Sequence, residues 1–157
     1  MKKLFHFDSP REPYQCDAAI VWCYDNRFDA AFRKFLEWIG VRFSDPVKIA
    51  GGAKSLASPS QESEREFVLD QIRTSIRLHG TRRVILMLHS DCGAYGGLDG
   101  GFGGDAQAEF VHHRSELIKA TQALRRAFPD LEVNSFFVNF EGVWEPYAVS
   151  SAADAAR

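Results

Sequence analysis

The stretch VILMLHSDCGAY, which runs from Val84 to Tyr95, decides how the chain folds. Its apolar first part leads directly into His89, and Cys92 follows three positions later. Short uninterrupted apolar runs are typical of strands that are buried on both faces, as in parallel sheets. The stretch therefore predicts a central buried strand that carries an imidazole and a thiol at its carboxyl end.

Segments typical of strands and helices alternate on both sides of this stretch. Ala18–Trp22 predicts another buried strand, and the weaker apolar segment at 46–50 predicts a third. Apolar residues at helical spacing predict two helices, one that ends at Gly40 and one that is capped by Ser60 and ends at Gly80. The apolar side chains at this spacing, which are expected to face the core, are Phe28, Phe32, Phe35, Leu36, Ile39, Phe67, Val68, Ile72 and Ile76.

The glycine-rich segment at 93–105 and the residues after it complete the pattern. The residues at 101–106 predict a flexible loop, and the segment is followed by a long helix from about Ala106 to Phe128 and by a strand over Leu131–Phe140 that closes the sheet. Parallel strands are joined through a covering helix. The alternation therefore predicts an α/β fold with three layers, in which helices flank a mostly parallel β-sheet.

The composition limits the class of protein. With 45% hydrophobic and 25% charged residues, the chain fits a single domain over residues 1–157, with an N-terminal extension at 1–15 and a loosely held tail at 148–157. The 19 Lys and Arg and the 21 Asp and Glu are mixed along the sequence and give a formal net charge of -2. We therefore expect no nucleic-acid partner and no membrane partner, whereas a small neutral or anionic substrate is compatible with the charge.

The start of the chain and its cysteines bear on the compartment. The apolar run at Leu4 and Phe5 is far too short for a secretory signal, so we expect a cytoplasmic protein. The sequence has three cysteines, and in that compartment they favour free thiols, metal ligation or redox work over a disulfide framework. Cys16 is expected to be a bystander.

Reactive side chains follow two of the predicted strands, at the edge where open α/β sheets bind their ligands. Cys23 follows the strand at 18–22, and His89 and Cys92 follow the central strand. Two thiolates and one imidazole suit tetrahedral zinc with its fourth position open to water or substrate. Asp25 and Arg27 lie two and four residues after Cys23, at a spacing that lets one side chain point at the metal and the other pair with it.

These segments carry a family resemblance. CYDNR at 23–27 and HSDCG at 89–93 resemble the two signatures of the β-class carbonic anhydrases, C-x-D-x-R and H-x-x-C-G. The succession of strands and helices is similar to that family's fold over most of the chain. The resemblance implies Zn2+ held by Cys23, His89 and Cys92, with Asp25 and Arg27 paired beside it. It also implies a homodimer or a higher oligomer with sites near a subunit interface.

The function that the resemblance implies is the reversible hydration of CO2 to bicarbonate by a zinc-bound hydroxide. Asp25 would accept a hydrogen bond from the hydroxide and orient it, and Arg27 would keep Asp25 ionised and turned away from the metal. Proton export needs a group that titrates near pH 7, and His112, His113 or buffer are the candidates.

The chain also departs from the family pattern. Asn26 stands where the family usually has Ser, and IAGGAKSLAS at 49–58 stands where the family has a segment like R-N-A-G-N after its second strand. Two alternatives therefore stay open. One is a non-catalytic structural or regulatory zinc protein in which Asp25 is the fourth ligand, and the other is a hydrolase of a CO2-like molecule such as carbonyl sulfide or carbon disulfide.

Two further groups of residues have both an ordinary and a functional interpretation. His112 and His113 are adjacent in the long predicted helix and point in different directions, which favours a solvated helix face over a metal site. The aromatic residues of NSFFVNFEGVW at 134–144 are expected to lie mainly in the core, and a dimer surface is the alternative.

Overall fold

The apolar run at 84–88 lies in the middle strand of a five-stranded sheet in the computed structural model of the chain, which describes residues 1–146. The strands are β1 (Ala18–Trp22), β2 (Ser44–Lys48), β3 (Arg83–His89), β4 (Glu132–Val138) and β5 (Val143–Trp144). Their order across the sheet is β2-β1-β3-β4-β5, and every neighbouring pair is parallel except β4 and β5. The predicted mostly parallel sheet is confirmed.

The register of the sheet brings the ends of β1 and β3 together. Val21 lies opposite Leu86, so the next residues along both strands place Cys23 close to the level of Leu88 and His89. On the other side of β3, His89 lies opposite Val138. Because the strands are parallel, all of these residues reach the same carboxyl edge of the sheet.

Helices cover both faces of the sheet, which confirms the three-layer arrangement. Val84, Leu86 and Leu88 of the central strand face one layer of helices, whereas Ile85 and Met87 face the other. All five side chains are at most 1% exposed, which explains why the strand is apolar without alternation. The helices are α1 (Asp29–Trp38), α2 (Lys54–Ala57), α3 (Glu62–His79), α4 (Gly97–Phe102) and α5 (Ala106–Ala127).

The two layers differ in their helices. α1 packs Phe32 and Leu36 against the face of the sheet that carries Trp22 and Met87. The opposite face is covered by α2, α3 and α5, whose buried apolar residues are Leu56, Val68, Leu69, Ile72, Leu117, Ala120 and Leu124. None of the helices within residues 1–146 is both long and apolar enough to cross a lipid bilayer.

Several predicted helix details are wrong. Phe28 lies in a 3-10 turn at Asn26–Phe28 before α1, although its side chain is buried as expected. Ser60 does not cap α3: Gln61 occupies that position, and the Ser60 N–H instead donates to the Glu64 carboxylate at 3.0 Å. Phe67 is 53% exposed, because the buried stripe of α3 follows the residues at 68, 69, 72 and 75, and Phe67 lies beside that stripe.

Three segments between and beside the helices also differ from the prediction. The strand expected at 46–50 lies two residues earlier, at Ser44–Lys48. The loop expected at 101–106 begins inside the short helix α4, which follows a 3-10 turn at Gly93–Tyr95. β4 does not close the sheet, because β5 pairs with it antiparallel as the edge strand. The tail expected at 148–157 lies outside the described residues.

The turn after β2 lies against the ends of the two central strands. Gly52 adopts a φ of +54°, and a Cβ atom there would stand 2.8 Å from the Met87 carbonyl oxygen and 2.9 Å from the Cys23 nitrogen. Real Cβ atoms essentially never come that close to backbone atoms. The absence of a side chain at Gly52 is what permits this close approach.

We expect Gly52→Ala to destabilise the protein far more than Gly40→Ala, the matched control. Gly40 also has a left-handed φ, of +77°, but nothing lies within 4 Å of a Cβ placed there, so its replacement should cost only the backbone strain of about 1–2 kcal/mol. Gly52→Ala adds a clash with two strand ends and should cost roughly 3 kcal/mol or more. Urea unfolding measures the free energy of unfolding of both variants. Equal losses of stability would show that the close approach at Gly52 does not contribute to the difference.

Candidate metal centre

Three side chains with metal-binding atoms converge at the carboxyl edge of the sheet. Cys23 directly follows β1, His89 is the last residue of β3, and Cys92 precedes the 3-10 turn at Gly93–Tyr95. One ligand atom from each residue lies within 4.8 Å of the other two, so the three could hold a metal ion. All three residues are at most 5% exposed. The structure thus brings together the three residues that the sequence indicated as zinc ligands.

The orientation of His89 suits metal binding. Its Nδ1 lies 2.8 Å from the Ser90 carbonyl oxygen, and since a carbonyl can only accept, Nδ1 carries the proton. Its Nε2 is buried and has no hydrogen-bond partner in the described part of the chain. A buried ring nitrogen that faces two sulfur atoms suits a metal ligand, because burial without a partner is otherwise costly. The donor set therefore fits zinc.

Aromatic rings hold the imidazole in place. The Trp22 ring packs edge-on against His89 with centroids 5.5 Å apart, and the Phe28 ring lies 4.9 Å from the imidazole centroid. Trp22 is in turn stacked on Phe32 of α1 at 5.6 Å. These contacts fix the ring of the proposed ligand and keep water away from that side of the cluster.

The contact between the two thiol groups shifts their pKa values in opposite directions. A hydrogen bond from Cys92 lowers the pKa of Cys23 to about 4 against the opposing effect of burial, and His89 and the backbone N–H groups of Asp25 and Gly51 lower it further. The same hydrogen bond, together with burial, raises the pKa of Cys92. A divalent cation bound here would require both sulfur atoms to be deprotonated, so binding would weaken as pH falls.

Asp25 and Arg27 form a pair with four hydrogen bonds. The Arg27 backbone N–H donates to Asp25 Oδ1 at 3.0 Å, Arg27 Nε donates to both carboxylate oxygens at 3.1 and 3.0 Å, and Arg27 Nη2 donates to Oδ2 at 2.6 Å. The Arg27 side chain thereby lowers the pKa of Asp25 to about 2, although burial opposes the shift. Asp25 is ionised at neutral pH, and it does not belong to the converging cluster of Cys23, His89 and Cys92.

Asp91 is a partner of Arg27 that the sequence analysis missed. Arg27 Nη1 donates to Asp91 Oδ2 at 2.7 Å, and Arg27 Nη2 donates to the Asp91 carbonyl oxygen at 3.0 Å. Arg27 holds the pKa of Asp91 below its usual value. The signal in the sequence was the position of Asp91 between His89 and Cys92, together with the tolerance of Asp for unusual backbone turns.

Glu109 of α5 is a second missed residue. Its side chain is 1% exposed, and Oε1 accepts the backbone N–H of Asp91 at 2.6 Å. Burial raises the pKa of Glu109 above its usual value, and the Asp91 N–H opposes that effect. Nothing in the local sequence distinguishes this glutamate from a solvated residue of an amphipathic helix.

The two adjacent histidines have different surroundings. His112 is exposed, as expected for a solvated helix face, whereas His113 is fully buried among Tyr95, Phe102 and Phe137, so the prediction is wrong for His113. Burial lowers the pKa of His113 to about 4. Both the burial and the lowered pKa of His113 disfavour it as the group for proton export.

The remaining residues singled out in the sequence lie away from the cluster. Cys16 is buried and free, and it precedes β1, at the opposite end of that strand from Cys23. Of the aromatic residues near the carboxyl end, Phe136 and Phe137 are in the core, whereas Phe140 and Trp144 are 67% and 49% exposed. The expectation of a mainly buried aromatic segment therefore holds for β4 and not for the residues after it.

Comparison with known sequences identifies a family. A family model described as "Putative carbonic anhydrase" matches residues 14–150. Among curated proteins, one from Rickettsia conorii, described as uncharacterized, is 25% identical over 133 residues, which is 83% of this chain and 72% of that protein.

Solved structures share the fold. The carbonic anhydrase of Streptococcus mutans superposes with a TM-score of 0.59 at 16% identity and covers 89% of this chain and 88% of its own. A β-carbonic anhydrase of Trichomonas vaginalis superposes with a TM-score of 0.56 at 16% identity and covers 90% of each chain. Two β-carbonic anhydrases of Sordaria macrospora are described as tetrameric. One chain from these structures superposes with a TM-score of 0.52 at 15% identity, over 84% of this chain and 81% of that one.

We expect the purified protein to hold about one zinc ion per chain, and His89→Ala to remove most of it, because two sulfur ligands alone bind the ion too weakly. Cys16→Ser is the matched control, since Cys16 is also a buried free cysteine but lies outside the cluster. Elemental analysis after dialysis measures the zinc content. Full zinc retention by a folded His89→Ala protein would exclude His89 as a ligand.

Proposed function

Because the chain belongs to the carbonic anhydrase family whose model matches residues 14–150, we propose that it catalyses the reversible hydration of CO2 to bicarbonate. In this proposal Cys23, His89 and Cys92 hold a zinc ion, and Asp25 and Arg27 act beside it. The observation that carries the proposal is the buried, unpartnered Nε2 of His89 beside two thiol sulfurs, with an ionised Asp25 held by Arg27 outside that cluster.

A zinc ion at this site would supply a hydroxide nucleophile. Zinc with three protein ligands lowers the pKa of a coordinated water to about 7 and so supplies hydroxide near neutral pH. The protein's part is to keep the fourth position free, to orient the nucleophile and to bind a small apolar substrate.

Asp25 orients the nucleophile. Its pKa of about 2 leaves it ionised over the working pH range, so it accepts a hydrogen bond and directs the nucleophile's lone pair at the carbon of CO2. Arg27 engages both carboxylate oxygens, which opposes any movement of Asp25 into a metal-ligating position. This pairing favours an enzyme over a zinc protein closed by Asp25.

Two aromatic rings and one guanidinium lie beside the cluster. Phe28 packs against His89, and the exposed Phe140 ring lies 4.9 Å from Phe28. The Arg27 guanidinium carbon lies 5.5 Å from the centre of the Phe140 ring, so a positive charge borders the apolar wall. An apolar wall accommodates CO2, and the adjacent cation favours its anionic product. Carbonyl sulfide and carbon disulfide have the same linear shape, so they are the competing substrates to assay.

We expect Arg27→Ala to retain zinc while CO2 hydration falls about a hundredfold, because Asp25 is then free to move onto the metal. Asp25→Asn should also retain zinc and lose turnover, since it removes the ionised acceptor. Arg33→Ala is the matched control, because it removes an Arg–Asp pair on the surface of α1 and should leave the rate unchanged. Stopped-flow hydration assays from pH 6 to 9 measure the rates.

Two results would decide against this function. Zinc-loaded wild-type protein without hydration activity at any pH from 6 to 9 would exclude carbonic anhydrase activity. Turnover of carbonyl sulfide or carbon disulfide by the same protein would then assign it to the hydrolase alternative. Absence of any turnover, with zinc bound equally by all variants, would favour the structural zinc protein.

We also propose that the protein is a homodimer or a higher oligomer. Large apolar side chains are exposed at its surface, among them Leu4, Phe5, Phe7, Trp38, Phe140 and Trp144. Association of subunits would remove such side chains from water. Sedimentation velocity at micromolar concentration should give a dimer or larger species, and Phe140→Ser with Trp144→Ser should shift it toward monomer. A wild-type monomer would contradict the proposal.

A further inference from the structure

The backbone of Asp91 has an unusual conformation. Its φ is +54°, and it is the one non-glycine residue with a positive φ in the described range 1–146. Residues other than glycine rarely adopt this region, and where they do so near a functional site the surrounding contacts must enforce it. The position of Asp91 between two of the proposed zinc ligands makes those contacts informative.

Three separate elements hold Asp91. Its Oδ1 accepts the backbone N–H of Leu98, in the first turn of α4, at 2.9 Å. Its own N–H donates to the buried Glu109 carboxylate of α5. Its Oδ2 and carbonyl oxygen accept from Arg27, 64 residues earlier in the chain. Asp91 thus ties the loop after β3 to the loop after β1.

The contacts of Arg27 are divided between two carboxylates. Its Nε donates a hydrogen bond to Asp25, its Nη1 donates to Asp91, and its Nη2 donates to both residues. Asp25 and Arg27 belong to the same short loop, so on their own they could move toward the metal position as one unit. Asp91 lies on the other loop, and its two hydrogen bonds tie Arg27 to that loop.

We propose that Asp91 is a positioning residue that holds Arg27 in place and thereby keeps Asp25 off the metal. The catalytic consequence rests on the proposed function, whereas the positional effect does not. Glu109 supports the same arrangement from α5, because it fixes the backbone N–H of the left-handed residue. The proposal adds a second acidic residue, Asp91, to the Asp25–Arg27 pair.

Asp91→Asn tests the proposal with little disturbance of the fold. Asn tolerates a positive φ, and its amide oxygen can still accept the Leu98 N–H, but its amide NH2 group cannot accept from Arg27. We expect zinc content to stay unchanged and the kcat of hydration to fall about 10-fold to 100-fold. Asp70→Asn is the matched control, since it removes an Asp–Arg pair with Arg73 on the surface of α3 and should change nothing.

A double-mutant cycle asks whether Asp91 acts through Arg27. In an Arg27→Ala protein the guanidinium is already gone, so adding Asp91→Asn should lower the rate by less than about twofold. The cobalt-substituted proteins give a second measurement. Asp91→Asn should change the visible absorption spectrum and weaken its response to added azide, because Asp25 then competes for the open position.

The outcomes separate this proposal from the proposed function. If the wild type is inactive, but Asp91→Asn still changes the cobalt spectrum and does so only while Arg27 is present, the positional effect is supported and the catalytic function is not. The positioning role of Asp91 would be overturned if the Asp91→Asn protein kept the wild-type hydration rate and cobalt spectrum. It would also be overturned if Asp91→Asn lowered the rate equally in the presence and in the absence of Arg27. If Asp91→Asn does not fold, Asp91→Gly keeps the backbone conformation and carries the same expectations.

Discussion

The parallel pairing of β1 with β3 is the constraint on which the rest of the structure depends. Both strands are buried on both faces, so their apolar side chains hold them in one register and leave little freedom at their carboxyl ends. That register brings Cys23 to His89, and Cys92 follows within the turn that begins there. The close approach of Gly52 to the Cys23 backbone then covers these strand ends from the side of β2.

The electrostatics at this edge favour a cation. Cys23 has a pKa of about 4, and the neighbouring Asp25 and Asp91 are both ionised beside a single guanidinium, that of Arg27. Negative charge next to a buried nitrogen lone pair attracts a divalent metal ion, and the ion in turn relieves the repulsion among the anionic groups. The same two carboxylates hold Arg27 between them.

The sequence predicted those parts of the fold and of the candidate site that depend on a few consecutive residues. The buried strands, the three side chains of the candidate metal centre and the Asp25–Arg27 pair all lie within short segments whose spacing or motif can be recognised. Asp91 could not be assigned, because its role depends on a left-handed backbone and on a contact with a residue far away in the chain. His113 was misjudged because the inward face of α5 also carries Glu109 and Glu116, so polarity does not identify the solvent side.

The crystal structure of the zinc-loaded protein at pH 8 tests the central claim most directly, which is that the metal has only three protein ligands. Zinc should lie on the sulfur atoms of Cys23 and Cys92 and on Nε2 of His89, while the Asp25 carboxylate stays on Arg27. A carboxylate oxygen of Asp25 bound to zinc, or zinc bound elsewhere in the protein, would contradict the account.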